Sequence, residues 1–198
     1  MHCCTKLLSV LLRGVMLACL LTAMAHAEGI VVNKAEMRSG DDGYQLTADF
    51  DINLSFVVQQ ALSRGVPIYF VGEFSLTRSR WYWLDEQIFQ SEQSTKLSYN
   101  VLTRQYRISR GALFQNFASL EEVLRVLSRQ SSTPIPAQLM KKEGNYIASA
   151  RLRLDTKELP RLLQVNVLTS KDWELNSDWY RWLIRPAEIA VNGASKPE

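Results

Sequence analysis

The chain has 198 residues, of which 46% are apolar, and its 23 basic and 20 acidic residues give a formal net charge of +3. Its three cysteines and two histidines all lie within the first 27 residues: His2, Cys3, Cys4, Cys19 and His26. A chain that loses these residues on export has no disulfide, no zinc or haem site built on Cys or His, no Cys nucleophile and no Ser-His-Asp triad. What remains is carboxylate, lysine, tyrosine or Ser/Lys chemistry, or no chemistry at all.

Residues 1–27 have the features of a cleavable export signal. Lys6 and Arg13 form a positive start, and an uncharged apolar run follows them. Ala25-His26-Ala27 then places small residues at the −3 and −1 positions that signal peptidase requires. We therefore expect cleavage before Glu28 and a periplasmic protein with no integral membrane span.

Two alternatives to cleavage remain open, an uncleaved anchor and a lipoprotein modified within Met16-Leu17-Ala18-Cys19. The cleaved form is favoured because a span takes about 20 apolar residues, and because no polar linker follows that cysteine. The exported chain then has a single mostly-β domain, residues 28–185, and a disordered tail, residues 186–198. Its 21 basic and 20 acidic residues make it a poor candidate for nucleic-acid binding.

The first predicted elements form a β-hairpin. Val31, Ala35 and Met37 indicate a strand, and Ser39-Gly40-Asp41-Asp42-Gly43 is a strong turn signal. Residues 44–54 then alternate between apolar and polar side chains. This period of two predicts a half-buried strand that pairs with the first.

A short helix and a third strand are predicted next. Asn53 or Ser55 caps the helix, and Gly65 stands where a C-terminal glycine belongs. Apolar residues recur at period two from Val66 onward. Pro67 favours the start or an edge of that strand because proline lacks a ladder donor.

Residues 96–108 read as a further strand with one irregularity. The apolar residues occupy odd positions up to Val101 and even positions from Leu102. A slip of one residue turns the second set to the other face unless a bulge absorbs it. We therefore predict a β-bulge near Val101-Leu102.

The rest of the chain predicts one helix and more strands. Residues 119–129 open with a capping box and carry an apolar stripe at helical spacing. Residues 146–155 alternate cleanly, residues 163–167 suggest another strand, and residues 172–184 fit either a strand or a helix. Two short helices among about seven strands predict an α+β fold, mainly antiparallel β, as a sheet or a β-sandwich.

The stretch RSRWYWLDE, residues 78–86, is the main candidate for a ligand site. If the third strand runs unbroken to Leu84, Trp81 and Trp83 point away from the core. Two such rings form a stacking platform for a sugar. The candidate ligand-binding residues are Arg78, Arg80, Trp81, Trp83, Asp85 and Glu86. The competing interpretation is that the rings are core, which is the commoner fate of large aromatic side chains.

Other polar groups carry weaker signals. The acidic residues of the first hairpin include oxygen ligands suited to calcium, but no EF-hand loop spacing is present. Arg104, Arg107 and Arg110 are spaced by three, so along a strand they do not converge on one anion. We predict no metal, no cofactor and no catalytic residues.

A glycan hydrolase is the alternative function. A carboxylate pair would come from Asp85, Glu86, Asp172, Glu174 and Asp178. Such chemistry needs a concave site with two carboxylates within about 10 Å of each other. A binding module needs only an exposed aromatic or apolar patch.

Seven stretches in order span nearly the whole exported chain: DGYQLTADFDINL, ALSRGVPIYFVGEF, RSRWYWLDE, KLSYNVLTRQYRIS, FASLEEVLRVLSR, RLRLDTKELPRLLQVN and LTSKDWELNSDW. They resemble an uncharacterised exported family of Gram-negative bacteria, the domain-of-unknown-function family numbered 4390. The resemblance implies no reaction, cofactor or functional residue. The family's genes can sit beside those for membrane sensor kinases, which implies an extracytoplasmic partner role.

Together these observations favour a non-enzymatic periplasmic binding or adaptor domain that serves an envelope or membrane-sensor system. The expected partner is a protein of the cell envelope, or a glycan, at one exposed face. The alternative is a small carboxylate-dependent hydrolase or binder of cell-wall glycan.

Overall fold

A computed structural model describes residues 29–40, 42–80, 85–140, 144–161, 163–164 and 170–185. The strands are β1 (Gly29–Gly40), β2 (Gly43–Asn53), β3 (Ile68–Arg78), β4 (Glu86–Asn100), β5 (Gln105–Arg110), β6 (Leu113–Phe117), β7 (Arg129–Ser131), β8 (Tyr146–Leu154) and β9 (Tyr180–Ile184). The helices are α1 (Phe56–Ser63) and α2 (Leu120–Leu127). The predicted α+β class, mainly antiparallel β with two short helices, is confirmed.

The strands form two antiparallel sheets. The first has the order β1-β2-β7, and the second has the order β6-β5-β4-β3-β8-β9. Leu46 and Phe50 of the smaller sheet share one hydrophobic core with Phe70 and Leu152 of the larger sheet. The sheets therefore meet through their inner faces.

The β1–β2 hairpin forms where the sequence predicts it. Gly40 pairs with Gly43 at its turn, and the inward residues of β2 from Leu46 to Ile52 are buried. Gly43 has φ +120°, and a Cβ on it would lie 2.3 Å from the Ile135 carbonyl oxygen. Glycine is required there by both the backbone conformation and the close approach.

Both helices begin at the predicted caps. The Ser55 hydroxyl accepts a hydrogen bond from the Val58 N–H at 3.2 Å, and the Ser119 hydroxyl accepts one from the Glu122 N–H at 3.2 Å. Each hydroxyl satisfies an amide that has no partner within its helix. Val123 of α2 is fully buried, so the predicted apolar stripe is the face that packs on the core.

The β-bulge predicted near Val101-Leu102 is wrong. β4 ends at Asn100, and residues 101–104 form a turn before β5. The Asn100 side-chain oxygen accepts hydrogen bonds from the Leu102 and Thr103 N–H groups, and Arg104 has a positive φ of 53°. The change of parity arises because the chain reverses at a side-chain-stabilised turn rather than because one strand slips.

Two further segments differ from the expectations. β3 ends at Arg78 rather than running to Leu84, and β4 begins at Glu86, so the intervening residues connect two antiparallel strands. Leu163, expected in a strand, lies in a helical turn in which its N–H donates to the Pro160 carbonyl oxygen at 2.8 Å. Residues 172–184, whose sequence fits either a strand or a helix, contain β9 after a 3₁₀ turn at Lys171–Trp173.

The signal segment, Trp81, Trp83, residues 165–167 and the tail from residue 186 lie outside the described residues. Within the described part of the chain, no helix is long and apolar enough to cross a bilayer.

Candidate functional site

The predicted site at Arg78–Glu86 lies at the connection between β3 and β4. Arg78 Nη1 donates to Glu86 Oε2 at 3.1 Å, and Arg80 Nη2 donates to the same oxygen. The Arg80 N–H donates to Asp85 Oδ1 at 3.4 Å. The structure therefore brings together four of the six predicted residues.

The orientation of Arg78 favours a structural role for this cluster. Its guanidinium lies 5.7 Å from the ring centroid of Tyr146, and that ring is fully buried. Arg78 also pairs with Glu86 and Tyr146 in the sheet register. The arginine thus covers the end of the core and neutralises Glu86. A sugar platform would depend on Trp81 and Trp83, and that part of the site stays a prediction.

A second polar cluster, which the sequence does not indicate, lies on the outer face of the larger sheet. Glu73 is only 6% exposed. Its Oε1 accepts from Arg153 Nε at 2.6 Å, and its Oε2 accepts from Arg151 Nε at 2.8 Å. The Arg151 guanidinium lies 4.6 Å from the ring centroid of Trp179. The carboxylate is therefore held by two charges and is covered by their side chains.

This cluster has the chemistry of an ion-pair network rather than of a catalytic acid. Both oxygens of Glu73 accept charge-assisted hydrogen bonds from arginine side chains. The hydrogen bond to Glu73 raises the pKa of the Arg153 guanidinium, and the charges of Asp155 and Glu92 act in the same direction. A glycosidase acid must instead face a second carboxylate across a substrate cleft.

Two surface clefts are lined by described residues. One of about 310 Å³ includes Arg38, Asp49 and Arg129, with Asp49 as its single carboxylate. The other, of about 210 Å³, lies between β1 and the segment before β9, with Asp178 as its single carboxylate. Neither cleft holds the carboxylate pair that hydrolysis requires. Among the described residues, no group of three or more His, Cys, Asp or Glu side chains is arranged to hold a metal ion.

Another candidate surface is the free edge of β6. β6 pairs with β5 on one side and is the last strand of its sheet. Leu113 is 78% exposed and Phe114 is 63% exposed. The Arg107 guanidinium lies 4.6 Å from the ring centroid of Phe114, and its Nε donates to Asn116 Oδ1 at 2.9 Å. An unpaired strand edge, two apolar side chains and an arginine therefore lie side by side.

The β6 edge was not predicted because LFQNF carries no alternation of apolar and polar residues. A strand that is exposed on both faces has no such pattern. The signal that was available is its spacing from β5: Gly111 and Ala112 form a two-residue connection, and Gly111 has a positive φ of 58°. Short loops containing a glycine at positive φ are typical of β-hairpins.

The family model for the domain of unknown function DUF4390 matches residues 27–183. The chain belongs to this family. The match covers every described strand except the last residue of β9. No curated protein and no solved structure matches the chain. The family description names no reaction and no ligand.

Proposed function

We propose that this member of the DUF4390 family is a non-enzymatic binding or adaptor domain of the bacterial cell envelope. Its partner is a protein that docks at the free edge of β6. The observation that carries the proposal is the pair of exposed side chains, Leu113 and Phe114, on an unpaired strand edge.

An edge of this kind is a template for strand addition. Its outward N–H and C=O groups are unpaired within the sheet, and proteins usually shield such edges with lysine, proline, a bulge or a covering element. β6 contains no charged residue and no proline, and its register with β5 has no shift. Strand addition supplies affinity through main-chain hydrogen bonds and specificity through alternate side chains.

The carboxylate groups support the alternative, a small glycan hydrolase, less well than the β6 edge supports docking. Each of the two clefts has one carboxylate, and Glu73 accepts hydrogen bonds from two arginines. A glycan-binding role would use Trp81 and Trp83, and Trp83→Ala tests it.

Site-specific photocrosslinking in cells tests the docking surface. A photoreactive amino acid is placed at Gln115 on β6 or, as a control, at Gln60, which is exposed on α1. We expect one discrete protein adduct from position 115 and none from position 60.

The same experiment on the Phe114→Asp background separates docking from chance contact. Phe114 is exposed, so the change should alter the melting temperature little, while a charge at the edge should abolish the adduct. Leu102→Asp is the matched control, because Leu102 is 96% exposed but lies in the β4–β5 turn. Equal adducts from positions 115 and 60, or an adduct that survives Phe114→Asp, would contradict the proposal.

A further inference from the structure

The strand residues at the β6 end of the larger sheet include basic side chains and no acidic ones. No aspartate or glutamate occurs from Gln93 to Leu120, an interval that contains four basic residues: Lys96, Arg104, Arg107 and Arg110. It forms the second half of β4, all of β5 and all of β6. The segments that flank this interval, the first half of β4 and helix α2, both contain glutamate.

These basic side chains are not neutralised within the described structure. The ion pairs formed by described residues include none of the four, whereas Arg78, Arg80, Arg151 and Arg153 each meet a carboxylate. Arg110 is half-buried on the inner face. Its Nε donates to Thr95 Oγ1 at 3.1 Å, and its Nη2 has no hydrogen-bond partner among the described residues.

Arg107 is the basic residue that lies at the docking edge. It belongs to β5, but its contacts with Phe114 and Asn116 place its guanidinium over β6. Phe114 and Asn116 share the outer face of the sheet with Arg107, because residues paired across antiparallel strands point to the same side. Leu113 lies on the opposite face.

The side chains on the two faces of an added strand would therefore contact different types of residue. Its side chains alternate between faces. Those on the outer face would approach the Arg107 guanidinium, and those on the inner face would approach Leu113. Carboxylates suit the first environment, and apolar side chains suit the second.

We infer that the segment which adds to β6 is an acidic strand of a partner protein, with aspartate or glutamate on the Arg107 face and apolar residues on the Leu113 face. This inference rests on the proposed function and names the chemistry of the partner at the same edge. A partner with basic side chains would meet repulsion from the Arg107 face.

Binding of two synthetic peptides tests the inference with the full chain. One short peptide alternates valine with glutamate, and the other replaces every glutamate with lysine. Measured by fluorescence anisotropy at low salt, the glutamate peptide should bind about tenfold or more tightly than the lysine peptide. The preference should shrink as salt rises from about 0.05 to 0.5 M, because ions screen exposed charges.

Matched variants test whether the charge of Arg107 contributes to binding of the glutamate peptide. Arg107→Gln should weaken binding of the glutamate peptide about two- to fivefold, as expected for an exposed ion pair. Arg181→Gln removes the same charge from β9, the opposite edge of the same sheet, and should leave binding unchanged. Phe114→Asp should abolish binding of the glutamate peptide, because it adds a negative charge to the face that the glutamates approach.

The outcomes separate this inference from the proposed function. Equal binding of both peptides, lost in Phe114→Asp, would overturn the acidic strand but support docking at the β6 edge. Failure of the glutamate peptide to bind would overturn the inference, while crosslinking at Gln115 still tests the docking itself. Two other results would overturn the inference in favour of a different occupant: dimerisation that Phe114→Asp abolishes, or binding to phosphatidylglycerol vesicles without binding to the peptide.

Discussion

Glu73→Gln tests the ion-pair network on the outer face of the larger sheet. The change keeps the shape of the side chain but removes the negative charge that holds Arg151 and Arg153. Glu73 is 9% exposed at its side chain, whereas the two arginines are 29% and 28% exposed. The variant therefore leaves Arg151 without the carboxylate of Glu73 and leaves Arg153 with the more distant carboxylate of Asp155, at 3.6 Å.

The expected cost follows from that exposure. Breaking a fully buried ion pair by removing one partner costs about 3–5 kcal/mol. Because the arginines keep some contact with water, we expect about 2–4 kcal/mol here. For a domain of this size each kcal/mol lowers the melting temperature by about 2–4 °C. A fall of roughly 4–16 °C is therefore expected.

Thermal unfolding followed by circular dichroism measures the effect. Glu121→Gln is the matched control, since Glu121 is 86% exposed on α2 and lies outside this network. It should change the free energy of unfolding by less than about 0.5 kcal/mol. If Glu73→Gln melts within a degree or two of Glu121→Gln, the network does not stabilise the sheet and this reasoning is wrong.

Three further predictions concern pH, processing and the aromatic stretch. Hydrogen bonds from Lys34 and Arg38 lower the pKa of Glu36 below its ordinary value of 4.5. The ionised Glu36 should therefore stabilise the fold above pH 4.5, and this stabilisation should be lost as the pH falls through the lowered pKa. The urea midpoint of unfolding, measured against pH, should show this loss in the parent protein but not in Glu36→Gln. Mass spectrometry of the protein from cells should find Glu28 as the first residue; an intact residue 1 or a lipidated cysteine would contradict the predicted processing. If the rings are core, Trp83→Ala should cost about 3–5 kcal/mol, whereas a small change in melting with loss of glycan binding would favour the platform.

The parts of the fold that were predicted are those with one buried face. β2 and β8 alternate because one side of each strand meets the core, and both helices have serine caps that can be recognised in the sequence. The part of β4 before residue 96 was missed because its fully buried residues are polar. Ser91 and Thr95 are buried, but the Ser91 hydroxyl accepts hydrogen bonds from Thr133 and the Thr95 hydroxyl accepts one from Arg110. Because these buried residues are polar and have hydrogen-bond partners, the segment lacks the alternation of apolar and polar residues that predicts a strand.

Whether the residues of a candidate site could be grouped from the sequence depends on how far apart they lie along the chain. The Arg78–Glu86 cluster could be predicted because its members lie within one connection between neighbouring strands. The Glu73 cluster joins residues 78 and 80 positions apart, which no local pattern reveals. The β6 edge depends on strand order, because only the assembled sheet shows which strand is last.

Hydrogen exchange of β6 is the most direct test of strand addition at this edge. The amides of residues 113–117 that point away from β5 are unpaired within the sheet, and an added strand would bond to them. On addition of the glutamate peptide, we expect slower exchange in residues 113–117 and unchanged exchange in β9. Binding of the peptide with no change in residues 113–117, or with protection elsewhere in the chain, would contradict the claim that β6 is the docking edge.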